Sequence, residues 1–141
     1  MSEITENPIR AEKRIKLNTL RENGIDPYPH NYERTALIQE IHHKFQDKIE
    51  AGEKLEDEKF RVAGRLMTKR PMGKAAFFNI QDQSGQIQCY LKKVELNEKD
   101  LISFENIDIG DIIGIEGCVF KSKKGELSLR ATGFQILCKT L

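Results

Sequence analysis

The sequence predicts a mainly β protein with some α: a five-stranded Greek-key barrel preceded by N-terminal helices. Three observations predict it. Apolar residues recur at helical spacing up to Ile49 and at a period of two from Phe60 onward. Five stretches with that second period are separated by turn-forming segments. An insert over residues 95–105, read as a short helix or loop, falls between the third and the fourth stretch.

Each element has its own signal. Residues 8–22 carry Ile9, Ile15, Leu17 and Leu20 among Lys, Arg and Glu, and Asn23-Gly24 ends this first helix as a C-cap does. Its apolar stripe is thin, so the helix needs a partner surface. Pro27 and Pro29 forbid continuation. A second helix is expected from about Thr35, as N-cap, to Ala51, with Leu37, Ile38, Ile41, Phe45 and Ile49 as its buried stripe. Residues 52–58 are acidic and read as a loop. Strand one is placed at 60–67, strand two at 75–81 and strand three at 86–92, with Asp82-Gln83-Ser84-Gly85 as a hairpin turn. Strand four spans 112–120. After the turn 121–125, strand five spans 126–131, and 135–138 continues it. Five strands with an insert after the third match the OB-fold, a partly open Greek-key barrel. The expected division is a helical extension over 1–58 and an OB-fold domain over 59–141.

Composition narrows the function. The chain has 141 residues, 38% hydrophobic and 32% charged, a globular profile with no run able to span a bilayer. No membrane association is expected. The acidic N-terminus lacks the apolar core of a secretory signal. Cys89, Cys118 and Cys138 are odd in number and far apart, which argues against a disulfide framework and fits a cytoplasmic setting. Net charge is only +1, but it is segregated: residues 59–81 hold six bases and no acid, and residues 94–117 hold seven acids and one base. Such separation can build one positive face on a nearly neutral molecule.

Strand parity locates that face. Side chains alternate sides along a strand. Val62, Gly64 and Leu66 are expected inside, with Arg61 and Arg65 outside. Ala76, Phe78 and Ile80 point in; Phe77, Asn79 and Gln81 point out. Ile87, Cys89 and Leu91 point in; Gln86, Gln88 and Tyr90 point out. Leu127 and Leu129 point in; Glu126, Ser128 and Arg130 point out. The outer face thus combines stacking rings, amides able to meet a base edge, and cations for phosphates. OB-folds bind oligonucleotides on strands two and three and on the loops between strands one and two and between four and five. Here those loops are read as 68–74, with Lys69 and Arg70, and 121–125, with Lys123 and Lys124.

No catalytic constellation accompanies the face. Gly73-Lys74 is followed by Ala75, so no phosphate-binding P-loop is formed, and the spacing of Gly110, Gly114 and Gly117 is wrong for a dinucleotide fingerprint. His30, His42 and His43 are read as surface residues, and no metal ligand set is expected.

The stretches R-V-A-G-R-L-M-T-K-R (61–70), M-G-K-A-A-F-F-N-I-Q-D (72–82), G-Q-I-Q-C-Y (85–90), D-I-G-D-I-I-G-I-E-G (108–117) and K-G-E-L-S-L (124–129) resemble the anticodon-binding domain of class II aminoacyl-tRNA synthetases, specifically the lysyl-tRNA synthetases. Upstream, L-R-E-N-G-I-D-P-Y-P (20–29) resembles the segment joining that family's N-terminal helices. The resemblance implies that Phe77 stacks on an anticodon base, Gln88 reads it, and Tyr90 lies beside it. It implies that Arg70 contacts the same nucleotide or its phosphate and that Glu126 bonds a neighbouring base. Arg65 fits the family's strand-one pattern without an assigned contact. The implied partner is the anticodon loop of tRNA(Lys), which is rich in uridine. Uracil pairs an N3–H donor with an O4 acceptor, and one amide can meet both. A complete enzyme of this family joins lysine to tRNA with ATP and Mg2+, as a homodimer, in a catalytic domain expected beyond residue 141. The chain itself is expected to hold no cofactor and to be non-catalytic.

Two other functions share the same surface. A stand-alone single-strand-binding OB protein would bind any oligonucleotide. A protein-interaction barrel would bind none.

Overall fold

The computed structural model describes residues 8–29 and 32–140. His30 and the acidic N-terminal residues 1–7 lie outside them. The elements are α1 (Pro8–Glu22), α2 (Ile38–Phe45), β1 (Lys54–Met72), β2 (Ala75–Gln81), β3 (Gln86–Lys92), a 3-10 turn (Lys93–Glu95), α3 (Glu98–Glu105), β4 (Ile112–Lys121) and β5 (Leu127–Cys138). The strands close into a barrel in the order β1-β2-β3-β5-β4. All pairs are antiparallel except β3 with β5. That order, with α3 bridging β3 and β4, is the expected OB topology.

The inward residues make one core. Leu66, Phe78, Ile80, Leu91, Ile113 and Ile115 are fully buried inside the barrel. Phe104 of α3 closes one end, its ring 5.9 Å from Phe78 and 5.6 Å from Phe134. α2 adds Ile38, Ile41 and Phe45, and Ile49 follows them into the core. α1 contributes only Leu17 and Leu20 as buried residues. No helix among the described residues is long and apolar enough to cross a membrane.

The structure differs from the sequence reading in three places. The first is α2, which is shorter than expected and is not capped by Thr35. The Thr35 hydroxyl instead accepts from the Arg61 amide at 2.8 Å. The first free amides of α2 go to acids: Leu37 N–H donates to Glu40 at 2.9 Å and Ile38 N–H to Asp82 at 2.9 Å. Anionic acceptors suit the positive end of a helix, and Asp82 reaches it across the fold. The second is the acidic segment 52–58, which is largely strand. β1 begins at Lys54 and pairs with β4 from Lys54↔Phe120, with a register shift between Leu55 and Lys59. The third is residues 68–74, which are not an open loop. β1 and β2 pair up to Met72↔Ala75, and only Gly73-Lys74 turns. Gly73 has φ 68°, a left-handed conformation that glycine adopts at no steric cost.

Candidate nucleic-acid interface

The outward face of β1, β2, β3 and β5 is organised in rows of directly opposed residues. Arg70 pairs with Phe77, Phe77 with Tyr90, and Tyr90 with Arg130. One step along, Thr68 pairs with Asn79, Asn79 with Gln88, Gln88 with Ser128, and Ser128 with Phe120. The β2–β3 ladder runs without a shift from Ala75↔Lys92 to Gln81↔Gln86. Its parity is therefore the one the sequence dictates. Ala76, Phe78, Ile80, Ile87, Cys89 and Leu91 are buried, while Phe77, Asn79, Gln88 and Tyr90 are half-buried.

Phe77 and Tyr90 touch, with centroids 4.9 Å apart and planes inclined by 39°. Tyr90 in turn meets Phe120 edge-on at 6.3 Å. Phe120 is a third ring on this face that the sequence reading did not name. Its signal was present: Ile113, Ile115, Gly117 and Val119 point inward in β4, so Phe120 must point outward. Ser128 also shares the outward parity but is fully buried. β5 lies between β3 and β4, and the Tyr90 and Phe120 rings close over this position.

The cations separate into two groups. Arg70 is exposed and carries no hydrogen bond or ion pair among the described residues. Lys123 and Lys124 are exposed at the β4–β5 turn. That turn is closed by Ser122, whose amide donates to the Glu126 carbonyl at 2.8 Å and whose hydroxyl accepts from the Glu126 amide at 3.0 Å. Glu126 is exposed, two residues before Ser128. Arg70 lies directly opposite Phe77, and the turn follows Phe120 at the end of β4.

The other group is engaged elsewhere. Lys69 pairs with Phe78 and so has the opposite parity to Arg70. Its ammonium donates to the Phe104 carbonyl at 3.3 Å and sits 4.7 Å over the Phe104 ring. Burial there, with Lys16 and Lys93 nearby, lowers its pKa. The expected loop position for Lys69 is thus replaced by a core-facing strand position. Arg65 is exposed but opposes Gln81 and Ile112, and it donates to the Gly110 carbonyl at 3.1 Å. Arg61 pairs with Glu116 at 3.0 Å. Arg130 shares the row of Phe77 and Tyr90, but its guanidinium is bound to Glu95, with Nε 3.2 Å from Oε2.

The Gln88 amide makes no side-chain hydrogen bond among the described residues, although it is half-buried between Asn79 and Ser128. A half-buried amide beside a stacking ring can pair with the edge of a base lying on that ring. The histidines do not join this face. His42 is half-buried with Nε2 2.7 Å from the Gln86 carbonyl, and His43 is exposed. Among the described residues no three His, Cys, Asp or Glu side chains converge as a metal site.

The family model of the OB-fold nucleic acid binding domain matches residues 60–137. The chain is similar to the lysine–tRNA ligase of Bacillus subtilis (strain 168), 46% identical over 131 residues, 92% of this chain and 26% of that protein. It is 44% identical over 141 residues to the lysine–tRNA ligase of Halalkalibacterium halodurans, 99% of this chain and 28% of that protein. The corresponding ligase of Staphylococcus saprophyticus is 43% identical over 131 residues, 92% of this chain and 26% of that protein. The chain spans about a quarter of the length of these relatives. It belongs to the family of OB-fold nucleic acid binding domains.

Proposed function

We propose that this OB-fold domain binds the anticodon loop of tRNA(Lys) as part of a lysine–tRNA ligase. The observation that carries the reading is the row Arg70–Phe77–Tyr90 with the Gln88 amide, unpaired among the described residues, one step along the same face. Phe77 offers its ring to an unstacked base. Gln88 presents a donor and an acceptor side by side, the complement of uracil's N3–H and O4. Arg70 lies opposite Phe77, where it can hold the phosphate of the stacked nucleotide. Lys123, Lys124 and Glu126 border the same surface at the β4–β5 turn, the loop that OB-folds use for oligonucleotides. The ligase relatives support the choice of RNA.

The whole protein is proposed to ligate lysine to tRNA using ATP and Mg2+, as a cytoplasmic homodimer. The described residues of this chain do not fit those cofactors. No carboxylate cluster suits a metal, and Gly73-Lys74 forms a hairpin turn rather than a phosphate cradle. Its own role is to hold and discriminate the anticodon.

The test is a fluorescence titration with two RNA stem-loops, one with a uridine-rich anticodon and one with its central uridine replaced by cytosine. Tighter binding of the first supports the reading. Equal binding of both and of an unstructured oligonucleotide supports a single-strand-binding protein, and no binding to any supports a protein-interaction barrel.

A further inference from the structure

We infer that Glu95 is a specificity-determining residue that acts by exclusion. It holds Arg130, which stands in the row of rings, and with the acidic start of β1 it keeps a phosphate backbone off the β5 end of the face. The inference rests on the anticodon-loop reading and adds to it a residue that disfavours the wrong RNA.

Arg130 has the position of a phosphate ligand. It lies directly opposite Tyr90, one strand beyond the row Arg70–Phe77–Tyr90. Its neighbours Leu129 and Ala131 are fully buried, so its side chain leaves the barrel on the same face as the rings. A guanidinium presents planar paired donors that suit phosphate. Glu95 takes those donors instead. Arg130 Nε lies 3.2 Å from Glu95 Oε2, and a second guanidinium nitrogen bonds Oε1, so the pair is bidentate. The two side chains are only 22% and 26% exposed, so water screens them less than an open surface pair.

The fold builds this bridge from two sides. Glu95 ends the 3-10 turn Lys93–Glu95. The turn is fixed at its start by the Lys93 amide, which donates to the Lys74 carbonyl at 2.8 Å, and is followed by buried Leu96. It carries Glu95 from the end of β3 back to β5. From the other side comes the irregular start of β1. Its register against β4 shifts between Leu55 and Lys59, which leaves Glu56, Asp57 and Glu58 outside the ladder. Lys59 opposes Cys118 and Cys118 opposes Arg130, so this acidic stretch adjoins the same end of the row. The Arg130 pKa is raised above its ordinary value, first by the hydrogen bonds to Glu95 and also by the charges of Glu95 and Glu56.

The row therefore has unlike ends. At one end Arg70 is exposed and carries no ion pair among the described residues. At the other the cation is neutralised and a further acid acts on it. Phosphate contacts add affinity without regard to sequence. Withdrawing Arg130 from them lowers affinity for any strand lying across β5 and leaves a loop read at Gln88 as the better ligand. Specificity is a difference of affinities, and lowering the wrong one serves as well as raising the right one.

The test is Glu95→Gln, which leaves Arg130 a hydrogen-bond partner but removes the charge. It is titrated with the uridine-rich stem-loop and with an unstructured oligonucleotide of mixed sequence. The oligonucleotide is expected to bind roughly three- to tenfold tighter, with a slope of log affinity against log salt steeper by about 0.7. The stem-loop should change by less than about twofold. Glu98→Gln removes the same charge from the exposed start of α3 and should do neither. Adding Arg130→Gln to Glu95→Gln should restore the native affinity and slope. Arg130→Gln alone should leave both slopes unchanged, because its charge is already taken, and this readout stands even if Glu95→Gln fails to fold. An unchanged oligonucleotide affinity in Glu95→Gln, an equal gain in Glu98→Gln, or a flatter slope in Arg130→Gln overturns the inference. Should the native protein still prefer the uridine-rich loop in that case, only this inference fails. Should it bind no loop, the anticodon reading fails with it.

Discussion

Phe77 and Tyr90 lie directly opposite each other on β2 and β3, ring against ring at 4.9 Å. An aromatic pair of this kind contributes about 0.5–1.5 kcal/mol beyond its buried area and restricts both rotamers. Each ring is anchored from beneath, since the residues on either side of it in the strand are buried: Ala76 and Phe78, Cys89 and Leu91. The platform is thus set before any base arrives, and binding need not pay to order it.

Phe77→Ala should weaken an anticodon stem-loop by about 1–3 kcal/mol, and by a similar amount whether the central base is uridine or cytosine. Stacking is nearly blind to base identity because every base has a π-face. The domain should stay folded, with an unchanged circular dichroism spectrum, since the ring stands outside the core. Unfolding of this variant would contradict the observed parity of β2.

Gln88→Ala should act on selectivity. The amide has no hydrogen-bond partner among the described residues, so its loss should leave stability within about 0.5 kcal/mol. Its cost should fall mainly on the uridine-containing loop, shrinking the preference over the cytosine loop. Paired titrations with the two loops decide it; equal weakening of both would remove Gln88 as the reader.

The β2–β3 part of this site was legible because its ladder has no irregularity. Alternation read from Ala75 to Lys92 maps straight onto buried and outward sides. β1 was less legible for the opposite reason. Its register shifts between Leu66 and Thr68, so the alternation of Arg61, Val62 and Leu66 does not carry through to Lys69 and Arg70. That slip puts Lys69 on Phe104 and leaves Arg70 on the face. The acidic start of β1 gave no apolar alternation from which a strand could be inferred. Its pairing with β4 is a tertiary fact. The cap of α2 by Asp82 links residues 44 positions apart in sequence, beyond any local signal.

The division among the cations should appear in salt dependence. Changing Arg70 and Lys124 together to alanine should flatten the slope of log affinity against log salt by roughly 1–1.5, at about 0.7 per phosphate contact. Lys69→Ala should leave the slope alone and lower the urea midpoint instead, since it removes a hydrogen bond and a cation–π contact on Phe104. An unchanged slope in the double variant would place the RNA away from this face.

The strongest test of the fold lies away from the proposed RNA face, where Lys16, Asp108, Asp111 and Lys139 form one charge cluster. Lys139 is fully buried, with Nζ 2.6 Å from Asp108 and 2.8 Å from Asp111. Asp111 also accepts from the Thr140 amide and hydroxyl, at 2.8 and 2.7 Å. Lys16 of α1 pairs with Asp108 from the other side. Removing one member of a buried pair strands the other, so Asp111→Ala should cost about 3–5 kcal/mol, read from denaturant unfolding. Asp108 gives the cluster a pH signature. Burial alone would raise its pKa, but hydrogen bonds and charge from Lys139 and Lys16 outweigh burial and leave it below the ordinary 3.8. A carboxylate with a lowered folded pKa stabilises the protein above its unfolded value, and that contribution is lost as pH falls through the folded value. The native domain should therefore lose stability steeply below about pH 4. Asp108→Asn should be less stable than the native domain at pH 7 and show a shallower loss below pH 4. The same variant removes the charge that ties Lys16 to the barrel and leaves it with Glu12 of its own helix at 3.9 Å, and α1 has only Leu17 and Leu20 as buried anchors. Its backbone should then become more sensitive to trypsin at Arg10, Lys13 and Arg14, while the barrel stays resistant. Identical acid profiles for the native and Asp108→Asn proteins would rule out Asp108 as the titrating link.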